Sequence, residues 1–145
     1  MLSMEILLVE DNPSDLELAQ RALREHNLGA SVRVARDGEE ALDFIFGQEQ
    51  FAGKRELPRV ILLDLKLPLV DGIEVLRQVR ANPRTRYVPV VALTASNQAR
   101  DVTECYALGV NSYITKPVDF DRFREAMRTI GEYWLLLNRS PAAAI

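Results

Sequence analysis

The sequence predicts an α/β protein with an open parallel sheet and helices on both faces. Unbroken apolar runs such as Val60-Ile61-Leu62-Leu63 read as strands buried on both sides, as parallel sheets require. Stretches with apolar residues at helical spacing separate these runs, and the strand-helix alternation repeats five times. At 145 residues the chain has the length of one domain, and 48% hydrophobic residues supply a core and exclude a disordered chain.

The first strand is Ile6-Leu7-Leu8-Val9. Asn12-Pro13-Ser14-Asp15 opens a helix, where proline is well placed, and Leu16, Ala19, Leu23 and Leu28 recur along it until Asn27 and Gly29 end it. Val32, Val34 and Ala35 form a short second strand. Asp37-Gly38-Glu39-Glu40 starts a second helix with Ala41, Leu42, Ile45 and Phe46 apolar. A loop of mixed charge over 48–58 exceeds the ~2–6 residues usual between helix and strand.

Val60 to Leu63 is the third strand, with Asp64 at its C-terminal end. Pro68, Asp71 and Gly72 mark a loop, and Ile73, Val75, Leu76 and Val79 form a third helix that ends before Pro83. The fourth strand spans 88–93 and leads to Thr94, and a fourth helix over 97–108 is stopped by Gly109. The fifth strand, 111–115, is followed by Lys116-Pro117, and Asp119 begins a last helix that extends to about residue 138. One domain over 1–138 with a short loose tail, 139–145, is expected.

Lys plus Arg number 18 and Asp plus Glu 21, a net charge of −3, which argues against a general nucleic-acid binder. The single cysteine, Cys105, excludes an internal disulfide, and no Cys/His cluster offers a zinc site. The apolar start at Ile6 to Val9 is flanked by acids and is too short for a signal peptide, and no run reaches the ~20 residues of a membrane span. A cytoplasmic protein is the expectation. His26 reads as a complement to a helix C-terminus, and Cys105 as a small buried apolar group.

Ligands of open α/β sheets bind beyond the carboxyl ends of the strands. The residues there are Glu10 and Asp11 after the first strand, Asp64 after the third, Thr94 after the fourth and Lys116 after the fifth. Two unit charges ~4 Å apart repel by ~4 kcal/mol at an effective dielectric of ~20, so three carboxylates in one crevice call for a cation. Hard oxygen ligands suit Mg²⁺, which binds phosphate oxygens through one or two carboxylates. A carboxylate can also act as a nucleophile and form an aspartyl phosphate, whose oxygens then need cations and hydroxyls such as Lys116 and Thr94.

In order and spacing, Glu10-Asp11, Asp64, Thr94 and Lys116-Pro117 resemble the receiver domain of two-component response regulators over about residues 4–132. The resemblance implies a flavodoxin-like (βα)5 three-layer sandwich of strand order 2-1-3-4-5. It implies Asp64 as phosphoacceptor and a histidine kinase as phosphoryl donor. Asp11, Asp64 and the backbone carbonyl of Lys66 would hold Mg²⁺, with Glu10 acting through a metal-bound water. Thr94 would turn toward the phosphoryl group, Lys116 would pair with it, and Tyr113 matches the aromatic switch position. A cis peptide is implied between Lys116 and Pro117. The product would be a signal altering protein contacts, so the chain is read as a signalling protein whose phosphoryl chemistry is partly self-catalysed, not as an enzyme.

Two other classes can be weighed. Haloacid-dehalogenase-like phosphatases carry an Asp-x-Asp motif, but Asp64-Leu65-Lys66 lacks the second acid and the chain has no room for a cap domain. A receiver-shaped scaffold that takes no phosphoryl group is the third reading. Leu67 stands where the family often has Met, and Lys66 and Ser96 occupy positions that tune phosphoryl hydrolysis in the family.

Phe120, Phe123, Met127, Ile130 and Trp134 make a helical stripe read as core. Tyr133, Trp134, Leu135, Leu136 and Leu137 then cover every face of the last turn, since successive helical residues advance ~100°. One domain buries one face, so this extension predicts a homodimer, with a cover over its own sheet as the alternative. The 48–58 loop, Asn111-Ser112-Tyr113-Ile114-Thr115-Lys116-Pro117-Val118-Asp119 and the late Tyr-Trp pair resemble single-domain regulators of bacterial phytochrome kinases, which implies a light-sensing kinase as partner.

Overall fold

The computed structural model describes residues 5–25, 31–47 and 57–141. Five strands, β1 (Ile6–Val9), β2 (Val32–Ala35), β3 (Val60–Leu63), β4 (Val90–Thr94) and β5 (Ser112–Thr115), form one sheet in the order 2-1-3-4-5. Every pairing is parallel. Val9 lies level with both Ala35 and Leu63, so β1 and β3 end together at the centre of the sheet.

Helices α1 (Pro13–Glu25), α2 (Gly38–Phe46), α3 (Gly72–Ala81), α4 (Ala99–Ala107) and α5 (Phe120–Gly131) cover the two faces. Strand residues alternate between the faces. Ile6, Leu8, Val60 and Leu62 pack with Leu16, Ala19 and Leu23 of α1 and Phe123, Met127 and Ile130 of α5. Leu7, Val9, Ile61 and Leu63 face the other way, against Ala41, Ile45, Val75, Leu76, Val79 and Cys105. This is the three-layer flavodoxin-like arrangement, with Cys105 a buried core group as expected.

Side chains fix where the helices begin. Asp37 accepts the N–H of Glu40 at 2.7 Å, Asp71 that of Glu74 at 3.0 Å, and Asp119 those of Asp121 and Arg122. Asn12 accepts the N–H of Asp15 at 3.0 Å and so sets the first turn of α1. At the opposite end, Gly109 takes the left-handed conformation (φ 97°) just past α4. The Arg80 guanidinium ties α3 to that end of the sheet, donating to the carbonyls of Val88 (2.7 Å) and Gly109 (2.8 Å) and to Asn111 Oδ1 (2.8 Å).

Several expectations need correction. The fourth strand begins at Val90 rather than 88, because Pro89 has no N–H for a ladder. The fourth helix is shorter than 97–108, at Ala99–Ala107, and the fifth strand starts at Ser112. The last helix is not one α-helix to residue 138. After Gly131 the chain widens into a π-helical turn, Glu132–Leu137, closed by the Asn138 N–H bonding back to the Tyr133 carbonyl at 2.7 Å. Phe120 is not core but 44% exposed, lying under the Arg124 guanidinium at 5.5 Å.

In the π-helical turn Leu135 is buried and Trp134 half-buried, while Leu136 and Leu137 are 70% and 72% exposed. His26, Leu28, the helix stop at 27–29, most of the 48–58 loop and residues 142–145 of the expected tail lie outside the described residues. Among the described residues no helix is long and apolar enough to cross a membrane.

Candidate functional site

The common end of β1 and β3 places two acids side by side. The Asp64 N–H bonds to the Val9 carbonyl at 3.0 Å, and the Glu10 N–H to that of Ala35 at 3.0 Å, so both residues extend the sheet by one position. Asp11 follows Glu10 and is exposed, whereas the side chains of Glu10 and Asp64 keep 4% and 9% of their surface. Carboxylate oxygens of Glu10, Asp11 and Asp64 lie within 4.8 Å of one another. Three like charges at that spacing are costly in a partly buried site unless cations join them.

Lys116 supplies one such cation. Its Nζ lies 2.7 Å from Glu10 Oε1, 2.8 Å from Asp15 Oδ2 and 3.1 Å from Asp64 Oδ2. The residue is delivered by β5, where its backbone N–H bonds to the Thr94 carbonyl at 2.7 Å. Burial alone would lower the pKa of the ammonium. The hydrogen bonds to Asp15 and Glu10, with the charges of Asp64 and Glu10, outweigh burial and hold it above the usual lysine value. Burial pushes the Glu10 carboxyl up to about 7; the Lys116 hydrogen bond and the Asn12 N–H pull downward, and the Asp64 charge adds to the rise.

The peptide between Lys116 and Pro117 is trans, contrary to expectation; among the described residues there is no cis peptide bond. Trans is the lower-energy form of an X-Pro bond by ~0.5–1 kcal/mol, and from it Lys116 already reaches all three carboxylates.

Thr94 ends β4 fully buried, its Oγ1 accepting the Ser96 N–H at 3.4 Å. Tyr113 lies on β5, half-buried, and donates its hydroxyl to the Ser96 carbonyl at 2.8 Å. Ser96 in turn donates its own hydroxyl to Asp101 at 2.5 Å. The segment after Thr94 is therefore tied to β5 through Tyr113 and to α4 through Asp101. On the other flank, the exposed Lys66 turns its N–H to Asp64 Oδ1 at 3.3 Å. Leu69 then adopts a left-handed conformation (φ 69°), unusual for a residue with a Cβ, where the loop turns back toward α3.

This donor set suits a hard divalent cation, since three carboxylates converge and two of them are shielded from bulk water. An open cleft of about 1000 Å³, lined among others by Asp11, Lys66, Pro68 and Arg100, leads to it. A buried carboxylate beside an ammonium and a cation site is an arrangement for receiving a phosphoryl group.

A sequence profile of the response regulator receiver domain matches residues 6–128. The chain belongs to this family. Among receiver relatives, the probable methanogenesis regulatory protein FilR2 of Methanothrix harundinacea is 45% identical over 139 residues, covering 96% of this chain and 88% of that protein. Response regulator Rcp1 of Synechocystis is 38% identical, covering 95% of this chain and 93% of Rcp1. A crystal structure of the Mn²⁺-bound form of a response regulator Rcp1 superposes with a TM-score of 0.86 at 36% identity, over 95% of this chain and 99% of that one. The phosphorylated cyanobacterial phytochrome response regulator RcpA gives the same TM-score, 0.86, at 37% identity over 96% of this chain and 99% of that one.

Of the expected receiver residues, Glu10, Asp11, Asp64 and Lys116 are brought together directly. Thr94 stands at the adjoining strand end, and Tyr113 joins through Ser96. The sequence reading missed Asp15. In the sequence Asp15 reads only as part of a helix start, although an acid in the first turn of the helix following the Glu10-Asp11 pair faces the same crevice.

Proposed function

We propose that this chain is a phosphorylation-controlled switch that accepts a phosphoryl group on Asp64 from a histidine kinase. The observation that carries the reading is Lys116 Nζ bridging Glu10 and Asp64 at the converged strand ends. In the reaction, an Asp64 carboxylate oxygen attacks phosphorus and the P–N bond to the donor imidazole breaks. The electron pair stays on that nitrogen, which takes up a proton, and an acyl phosphate is left on Asp64. Glu10, Asp11, Asp64 and the Lys66 carbonyl would hold Mg²⁺, which when bound neutralises charge on the phosphoryl oxygens.

Lys116 donates to a phosphoryl oxygen in place of its Asp64 contact. Thr94, one strand over, offers its hydroxyl to another. A Thr94 shift acts on Ser96, whose N–H it holds, and through Ser96 on Tyr113 and α4. The face made by α4 and β5 is thus the element whose population changes on phosphorylation.

The receiver is proposed to extend beyond the family match through the π-helical turn, with Tyr133, Leu136 and Leu137 forming the contact of a homodimer. The likeness to the phytochrome response regulator RcpA supports a phytochrome-type kinase as donor, and the cytoplasm is the proposed location. The signal would leave through a downstream protein contacted by the switched face.

Intact-mass measurement after acetyl phosphate and Mg²⁺ tests the switch. One phosphoryl group is expected on the wild type and none on Asp64→Asn. Absence of any uptake would overturn the reading in favour of a phosphorylation-independent scaffold.

A further inference from the structure

We propose that Asp15 is a positioning residue that competes with the phosphoryl group for Lys116 and so shortens the life of the phosphorylated state. The proposal rests on the reading of Asp64 as phosphoacceptor.

A lysine ammonium has three N–H donors, and in this site three carboxylates surround it: Glu10 at 2.7 Å, Asp15 at 2.8 Å and Asp64 at 3.1 Å. Glu10 and Asp64 belong to the acid cluster whose oxygens converge, while Asp15 does not. Asp15 comes from α1, where the Asn12 cap fixes its backbone, and its side chain is 31% exposed. It therefore reaches into the site from the rim.

A phosphoryl group on Asp64 needs an N–H from Lys116, which must come from a present partner. The Asp64 contact is the longest of the three and is the one replaced when that carboxylate becomes an acyl phosphate. The freed N–H can turn to a phosphoryl oxygen, but Asp15 stays behind as an anion 2.8 Å from the ammonium, and its pull draws the ammonium toward α1 and weakens the contact to the phosphoryl group. Charge-assisted hydrogen bonds of this length are strong enough to matter, and partial exposure keeps the competition reversible.

The test uses the full chain with Asp15→Asn, which keeps size and an acceptor oxygen but removes the charge, together with Lys116→Gln and the double variant. Each is phosphorylated with acetyl phosphate and Mg²⁺, and loss of the phosphoryl group is followed by intact mass. Asp15→Asn should lengthen the lifetime about threefold to tenfold, the range for a partly exposed charge-assisted pair. In the Lys116→Gln background the same change should have almost no effect, a non-additivity that a merely structural role would not produce. The ¹⁵N resonance of Lys116 Nζ should also move in unphosphorylated Asp15→Asn.

An unchanged or shorter lifetime, or an equal gain with and without Lys116, overturns the proposal. Asp15→Ser serves as a second charge-removing variant if the amide misfolds. If the wild type itself takes up no phosphoryl group, the reading of Asp64 falls and this proposal with it. Normal uptake with an unaltered Asp15→Asn lifetime overturns the proposal alone.

Discussion

A Cβ on Gly72 would lie 2.3 Å from the backbone carbonyl oxygen of Asp64 and 2.6 Å from the Cα of Leu65. The first residue of α3 is packed against the main chain of the proposed phosphoacceptor, and the Gly72 N–H bonds to the Leu65 carbonyl at 2.8 Å. Gly72→Ala must push Asp64 and α3 apart, since backbone on both sides cannot yield as a flexible side chain would. The expected result is a loss of ~1–3 kcal/mol in urea unfolding and a marked fall in the initial rate of phosphoryl uptake. A variant with normal rate and stability would show that the loop absorbs the methyl group freely.

Glu10 makes the stability of the metal-free protein depend on pH. The folded carboxyl holds its proton up to about 7, against an ordinary value of 4.5. Between those values the folded state binds more protons than the unfolded chain, so stability is full below about 4.5 and falls as pH rises through about 7. The loss is of the order of 1–3 kcal/mol. Urea midpoints in EDTA at pH 5 and pH 8 should differ in this direction, and Glu10→Gln should remove most of the difference. Mg²⁺ affinity runs the other way, rising with pH as Glu10 gives up its proton.

Asp11 adds negative charge to the cluster without sharing in its neutralisation, because Lys116 pairs with Glu10, Asp15 and Asp64. Asp11→Ala should therefore raise the urea midpoint in EDTA, by less than about 1 kcal/mol because the residue is exposed and screened. It should also abolish Mg²⁺ binding in calorimetry. A lower midpoint would show that Asp11 is held by attraction rather than endured against repulsion.

Leu136 and Leu137 stand out from the π-helical turn, both largely exposed among the described residues. Replacing both with Glu should convert a dimer to a monomer in sedimentation equilibrium, while the unfolding free energy, compared at concentrations where the wild type is itself monomeric, changes by less than about 0.5 kcal/mol, as for other surface changes. A wild type that is already monomeric would remove the dimer from the proposed function.

The acids and the lysine were legible because strand ends can be read from apolar runs, and the sheet carries whatever follows those runs to one edge. Asp64 after Val60-Ile61-Leu62-Leu63 is the clearest case. Asp15 was not legible, because it sits in the first turn of α1 rather than at a strand end, and an acid there reads as an ordinary helix-start residue. The π-helical turn was hidden for a related reason. The apolar run at 133–137 reveals that surface is left over, but the hydrogen-bond register that buries Leu135 is chosen by tertiary packing. Phe120 misled because its spacing fits the core stripe, while its place in the first turn of α5, beside Arg124, puts it at the surface.

The order in which the site is manufactured follows from the position of β5 at the edge of the sheet. On the ribosome, Glu10, Asp15 and Asp64 all emerge before Lys116, the last of them by 52 residues. Until the fifth strand docks beside Thr94, these acids lack the counter-charge of Lys116, and mutual repulsion opposes closing the central strands. The lysine that later senses a phosphoryl group thus first serves as the final piece of assembly. A nascent chain that stops short of it is marked, by its own electrostatics, as unfinished.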